Sequence, residues 1–228
     1  MGKHLDPRVV KTRSSLKVAL ISLMQQYKIE NISVQKITET AHITRGTFYL
    51  HYKDKRDFIS RAMTEILDDF FEVVITEVPL PSSMGTRPSE QSRTRFSLNA
   101  AFSYIESEAQ MFNVLLNTQE NGLFERQLFS RLTTDLERFH DAFQAEFVDL
   151  DVPISIQISF TVSAYIGLIK NWLANGMIYT PHYMTSSVHK MMTLINSEHP
   201  EKVTFTDFFY TEPQLATAPT QSEWHASV

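Results

Sequence analysis

Residues 33–55 read SVQKITETAHITRGTFYLHYKDK, and this run restricts the fold more than any other part of the chain. It holds two short helical patterns, about 34–41 and 45–51, separated by His42-Ile43-Thr44. Ser33 suits the N-cap of the first, where Val34, Ile37 and Ala41 fall on one inward face. Phe48 and Tyr52, four apart, share a face of the second and can anchor it from behind. It also carries small, hydroxylic, aromatic and basic side chains. Two short helices with so tight a joint make a helix-turn-helix.

A helix held this way is suited to the major groove of double-stranded DNA, with its N-terminal end toward the base edges. Thr44, Arg45 and Thr47 lie at that end. Arg45 can read guanine through O6 and N7. Thr47 offers a methyl for thymine or a hydroxyl for phosphate. Gly46 lets the backbone approach closely. Tyr49 and His51 have polar tips that reach phosphates. Lys55, opening the next helix, adds its charge to a helix N-terminus and reads as a phosphate clamp. Ser33 and Gln35, at the head of the first helix, complete the expected contact set. Duller roles stand beside these: Tyr49 as a packed surface aromatic, His51 as a local cap, Arg45 as a phosphate contact only.

The charge distribution points the same way. The net charge of −5 divides unevenly, +6 over residues 1–60 and −11 over 61–228. A basic head favours a polyanion and an acidic body is repelled by it. With no cysteine, disulfides and thiolate metal sites are excluded. The N-terminal MGKHLDPRVV has no apolar core of a signal peptide, so a soluble cytoplasmic protein without membrane contact is expected.

The periodicity predicts an all-α fold. Asp6-Pro7 starts a helix over about 7–26. A fourth helix follows Asp54 and runs over 55–78. Pro79 to Pro88 reads as a loop. Further helices are expected over about 89–107, 109–118, 121–148, 153–176 and 181–197. No strand-like alternation stands out. The expected organisation is a head over 1–54, helix 4 as a connector, a helical bundle over 79–197, and a loose tail over 198–228. Phe205, Phe208, Phe209 and Tyr210 are the tail residues able to pack on the body.

Residues 9–70 resemble the DNA-binding domain of the TetR/AcrR family of bacterial transcription regulators. The carrying run is SVQKITETAHITRGTFYLHYKDKRDFI, with its hydroxyl-rich second helix and its T-aromatic-Y and K-x-K elements. That resemblance implies DNA contacts at Thr44, Arg45, Thr47, Tyr49, His51 and Lys55. One departure is His42, where the family usually has Gly. That turn position often needs positive φ, which His tolerates better than most residues. AFSYIESEAQMFNVLLNTQENGLFERQL and SAYIGLIKNWLANGM resemble, more weakly, the C-terminal domain of Firmicutes-type members.

Helix 153–176 is apolar on nearly every side, so it must be covered on several faces. Ser163, Gly167 and Asn171 form a small-residue stripe along it. We expect this helix, with Trp172, and helix 181–197, with Met191, to form a four-helix interface in a homodimer, as the resemblance also implies. A two-fold protein reads a near-palindromic operator. Phe102, Phe112, Leu116, Phe139 and Tyr165 are the candidate lining of an effector pocket for a small apolar or aromatic molecule. A plain aromatic core is the competing reading. Glu106, Asn113, Asn117 and Gln119 are candidate polar anchors.

No catalytic constellation is legible: HExxH, GxSxG and Gly-rich phosphate loops are all missing. His182 and His189, seven apart, can share a helix face and Glu198-His199 follows, but a metal site is the lesser reading there, and no cofactor is implied. The expected function is a DNA-binding regulator, a repressor released by an effector. An adaptor that binds another regulator instead of DNA is the alternative.

Overall fold

The computed structural model describes residues 6–79, 92–118, 122–195 and 202–210. Among these, nine α-helices dominate. The helical class read from periodicity is the observed one, with a small sheet added.

Local capping starts the first four helices. Asp6 accepts from the Arg8 amide at 2.9 Å and Pro7 opens α1 (Pro7–Met24). Ser33 accepts from the Lys36 amide at 3.2 Å and caps α2 (Val34–Thr40). Thr44 accepts from the Thr47 amide at 3.1 Å and caps α3 (Arg45–His51). Asp54 accepts from the Asp57 amide at 2.8 Å and caps α4 (Lys55–Val74). Each satisfies an amide that the first helical turn leaves unpaired. Leu16, Leu20, Ile37, Phe48 and Phe58 are fully buried where these helices meet.

Two expected helix ends are replaced by strands. The helix over 55–78 stops at Val74, and β1 (Ile75–Pro79) continues it. The helix expected from 89 begins only at Leu98, after β2 (Ser92–Ser97). The strands pair antiparallel, with Ile75 opposite Phe96. Val73-Val74-Ile75-Thr76 is a β-branched run, poor in a helix and good on a pleated edge. The loop expected after Pro79 lies outside the described residues.

The body follows as α5 (Leu98–Ser107), α6 (Ala109–Asn113) with a π-helical turn over Val114–Thr118, α7 (Leu123–Phe143), α8 (Ile154–Ala174) and α9 (Pro181–Ile195). Within the expected tail, residues 202–210 pack on the body, the course that its aromatic residues left open. Phe205, Phe208 and Phe209 are buried, and β3 (Phe209–Tyr210) runs parallel to β2, with Phe209 beside Phe96. Burying a phenylalanine side chain stabilises by about 1.5–3 kcal/mol, enough to hold a short segment. Residues 196–201 and 211–228 lie outside the described part. No helix among the described residues is long and apolar enough to cross a membrane.

Candidate nucleic-acid interface

The turn between α2 and α3 is set by backbone geometry. His42 has φ 54°, the left-handed conformation anticipated from its place in the turn. Its amide donates to the Glu39 carbonyl at 3.1 Å, and the Ile43 amide donates to that of Thr38 at 3.0 Å. The chain then enters α3 through Thr44, whose Oγ1 lies 2.9 Å from Thr47 Oγ1.

α3 has two faces. Phe48 and Tyr52 are buried on one, with ring centroids 5.5 and 4.8 Å from that of Phe58 on α4. Burial, then the Glu65 carboxylate, raises the pKa of the Tyr52 phenol. Arg45, Gly46, Tyr49 and Leu50 are exposed on the other side, while Thr47 and His51 are half-buried. Among the described residues, nothing hydrogen-bonds or ion-pairs with the Arg45 guanidinium. Gly46 is not there for the fold. A Cβ at that position would meet Thr44 Oγ1 at 3.7 Å, an ordinary contact. Glycine within a helix is about 1 kcal/mol less favourable than alanine, so the bare backbone here has no internal reason.

On α2, Ser33 and Gln35 are exposed. The Ser33 hydroxyl serves as the cap, and Gln35 Nε2 donates to Glu39 Oε1 at 2.9 Å. Lys55 differs from expectation. Its Nζ donates to the carbonyls of Ile29 and Glu30, each at 3.2 Å, so the ammonium joins α4 to the turn after α1. The neighbouring Arg56 is exposed instead. Other head cations also turn inward: Arg13 and Lys17 pair with Glu65 at 3.5 Å, and Lys17 with Asp69 at 3.2 Å.

The corner behind α3 is held by Asp57. Its carboxylate accepts from the Lys53 amide at 2.9 Å and from Arg61 Nε at 2.8 Å. The Lys53 amide, then the Arg61 guanidinium, hold its pKa below the usual carboxylate value. Leu50, absent from the expected contact set, is 82% exposed on α3. The signal was legible: a leucine at a position that the Phe48–Tyr52 anchor faces away from.

On the body, α8 leaves a stripe uncovered. Phe160 is 72% exposed, and Ile156, Ser163, Ala164, Gly167 and Asn171 are exposed beside it. Tyr183 and Met191 of α9 are exposed as well. A Cβ on Gly167 would meet nothing within 4 Å. Trp172 does not join this stripe. It is 2% exposed, its Nε1 donates to the Tyr179 carbonyl at 2.9 Å, and its ring stands edge-on to Phe102 at 5.4 Å. An indole with its N–H satisfied is comfortable in a core.

Four of the five expected pocket residues, Phe102, Phe112, Leu116 and Tyr165, surround one apolar void of about 20 Å³. That space holds a single water at most, so no ligand-sized pocket is open there. Phe139 is elsewhere, lining a surface groove with Arg131, Asp135 and Phe208. Asn117 is no anchor for the void: it is exposed, and its Nδ2 donates to Asn113 Oδ1 at 2.9 Å and to the Lys170 carbonyl at 3.1 Å. Gln119 lies outside the described residues. Among the described residues no cluster of metal-ligating side chains occurs.

Comparisons with known proteins agree with this geometry. A family model described as "Bacterial regulatory proteins, tetR family" matches residues 18–62, and one described as "Transcriptional regulator C-terminal region" matches 95–194. An uncharacterised HTH-type transcriptional regulator, YxbF, of Bacillus subtilis (strain 168) is 23% identical over 118 residues, covering 52% of this chain and 30% of that protein. The matched stretch is thus under a third of that relative. A TetR transcriptional regulator from Streptococcus agalactiae 2603V superposes with TM-score 0.55 at 21% identity, over 81% of this chain and 94% of that one. The fatty acid degradation regulator FadR from Bacillus halodurans gives 0.55 at 13% identity, over 88% and 100%. The dihydroxyacetone kinase operon activator DhaS gives 0.50 at 16%, over 87% and 98%. At such identities the structural likeness speaks for the fold. The two family models fall on the helix-turn-helix and on the helical body in the order the chain presents them, and the protein belongs to the TetR family of bacterial transcriptional regulators.

Proposed function

We propose that the protein acts as a homodimer on a near-palindromic operator, that it represses by occupying it, and that a small apolar or aromatic effector releases it. One observation carries the DNA part: α3 is anchored by two buried rings while Arg45, Gly46 and Tyr49 stand exposed on its other side. Arg45 and Thr47 read bases in this scheme. Ser33, Gln35, Tyr49 and His51 position the helix on the backbone, and Thr44 sets its entry.

The uncovered stripe on α8 and α9 supports the dimer. An isolated helix gains nothing from an exposed Phe160 beside Gly167, whereas a second copy would bury both. Two recognition helices then meet half-sites about 34 Å apart, one turn of the duplex, or a multiple of that.

The test is selection of bound sequences from a random DNA pool. The expected result is an inverted repeat whose halves are spaced by whole helical turns. Enrichment of a single unrepeated motif would remove the dimeric reading. No enrichment, together with retention of another regulator as a stable partner, would replace DNA binding by an adaptor role.

A further inference from the structure

On α3, Leu50 faces directly away from the buried anchor. Phe48 and Tyr52 lie two positions to either side of it, and at about 100° per residue it points away from both. It is 82% exposed. Its neighbours on the helix lean back instead of out. The Tyr49 ring stands edge-on to that of Phe48 with centroids 5.3 Å apart, and the His51 ring edge-on to that of Tyr52 at 6.3 Å. Thr47 is half-buried, and its hydroxyl is 2.9 Å from that of Thr44. Leu50 is thus the forward apolar side chain of the helix.

Gly46 precedes Leu50 by four positions and shares its face. Only Thr44 Oγ1 comes within 4 Å of a Cβ built on Gly46, so the leucine does not fill the space above the bare backbone. The front of α3 is therefore a notch at Gly46 followed by an apolar knob at Leu50. Neither serves the fold, since glycine weakens a helix and this leucine buries almost nothing. A single exposed leucine needs no explanation. This one stands in line with an unexplained glycine, on the helix that Arg45 opens with an exposed guanidinium.

We propose that Leu50 reads thymine: its isobutyl group packs on a thymine C5-methyl in the major groove, and the notch at Gly46 lets the backbone come close enough for that contact. This rests on the DNA reading above and adds one residue and one base to it. The chemistry selects the base. Leucine has no donor or acceptor, so a cytosine or adenine amino group, or a guanine carbonyl, brought against it would lose water and gain no partner. Among the four bases, thymine alone offers an apolar group on that edge. Arg45 and Leu50 then divide the half-site, one reading guanine by hydrogen bonds and the other thymine by packing. The charge of +6 over residues 1–60 draws a duplex to the head whatever its sequence. Leu50 adds nothing to that attraction and acts only on the base it meets.

The experiment takes the sequence most enriched from the random DNA pool and replaces its thymines one at a time by deoxyuridine, which lacks only the methyl group. Affinity of the full chain is read by fluorescence anisotropy at fixed salt. One thymine in each half-site should show a loss of about fourfold, the worth of one buried methyl group. Leu50→Ala should bind the thymine operator at least about fourfold more weakly than the parent, and should bind the thymine and deoxyuridine forms alike. Leu50→Met, which keeps an apolar end, should retain the preference. A C·G pair at that position should bind better when its cytosine carries a 5-methyl group, and Leu50→Ala should erase that gain. The melting temperature and salt dependence of Leu50→Ala should match the parent, because the side chain is exposed and uncharged. Indifference of the parent to every thymine methyl overturns the proposal. A methyl preference that survives Leu50→Ala also overturns it, by moving the contact to another residue. Both results leave operator binding standing, whereas a pool that yields no enriched sequence removes the DNA reading and this contact with it.

Discussion

Lys55 Nζ donates to the carbonyl oxygen of Ile29 at 3.2 Å, and the same ammonium reaches Glu30. A cation placed at a helix N-terminus, where the dipole is unfavourable to it, is here kept by two carbonyls of the preceding turn. Lys55→Met should therefore lower stability by about 1 kcal/mol, the worth of a charge-assisted bond at a half-buried site. The salt dependence of DNA binding should hardly change. Measuring log K against log salt decides the matter, since loss of a phosphate contact lowers the slope by about 0.9.

Arg45→Ala should weaken operator binding by about 1–3 kcal/mol while leaving affinity for unrelated DNA much less affected. Dimerisation should be untouched, because the exposed guanidinium makes no hydrogen bond or ion pair among the described residues and α3 is not part of the α8–α9 stripe. Equal losses on operator and random duplex would reassign Arg45 to a phosphate.

Gly46→Ala separates folding from binding. The helix has room for the methyl group, so thermal stability should stay level or rise by up to about 1 kcal/mol. Operator affinity should fall, because the added methyl stands between backbone and groove. A variant that binds as tightly as the parent would show that the backbone never approaches the DNA.

Phe160→Asp should yield a folded monomer. The side chain is 72% exposed, so the substitution disturbs no internal packing. Placed at a two-fold interface it would bury two like charges. Sedimentation should show loss of the dimer with the helical circular dichroism retained. A dimer that survives moves the interface off α8.

Acid stability should depend on Asp57. Its pKa is lower in the folded chain than the ordinary carboxylate value, so the folded state favours the ionised form. The stabilisation is then complete above the unfolded pKa and disappears as pH falls through the folded one. Asp57→Asn should reduce stability at neutral pH and flatten its decline in acid. Parallel denaturation curves for the two proteins between neutral and acid pH would contradict this.

The parts of the structure that were legible in advance are those decided within a few residues. Asp6, Ser33 and Asp54 cap helices because each accepts an amide two or three positions ahead, so sequence order alone brings donor and acceptor together. Phe48 and Tyr52 share a buried face because the helical repeat places them there, and His42 took the positive φ of its turn. Tertiary structure alone decided the rest. Lys55 meets carbonyls 25 and 26 residues away instead of solvent. Trp172 turned inward because the Tyr179 carbonyl met its N–H, something the apolar pattern of α8 cannot distinguish from an outward turn. Val74 ends α4 because β2, brought back from across a long connection, offers a partner to a β-branched run. Phe209 became core for the same reason: its partners, Phe96 and Tyr165, are distant in sequence, and a short aromatic segment has no preferred burial until the surface that covers it exists.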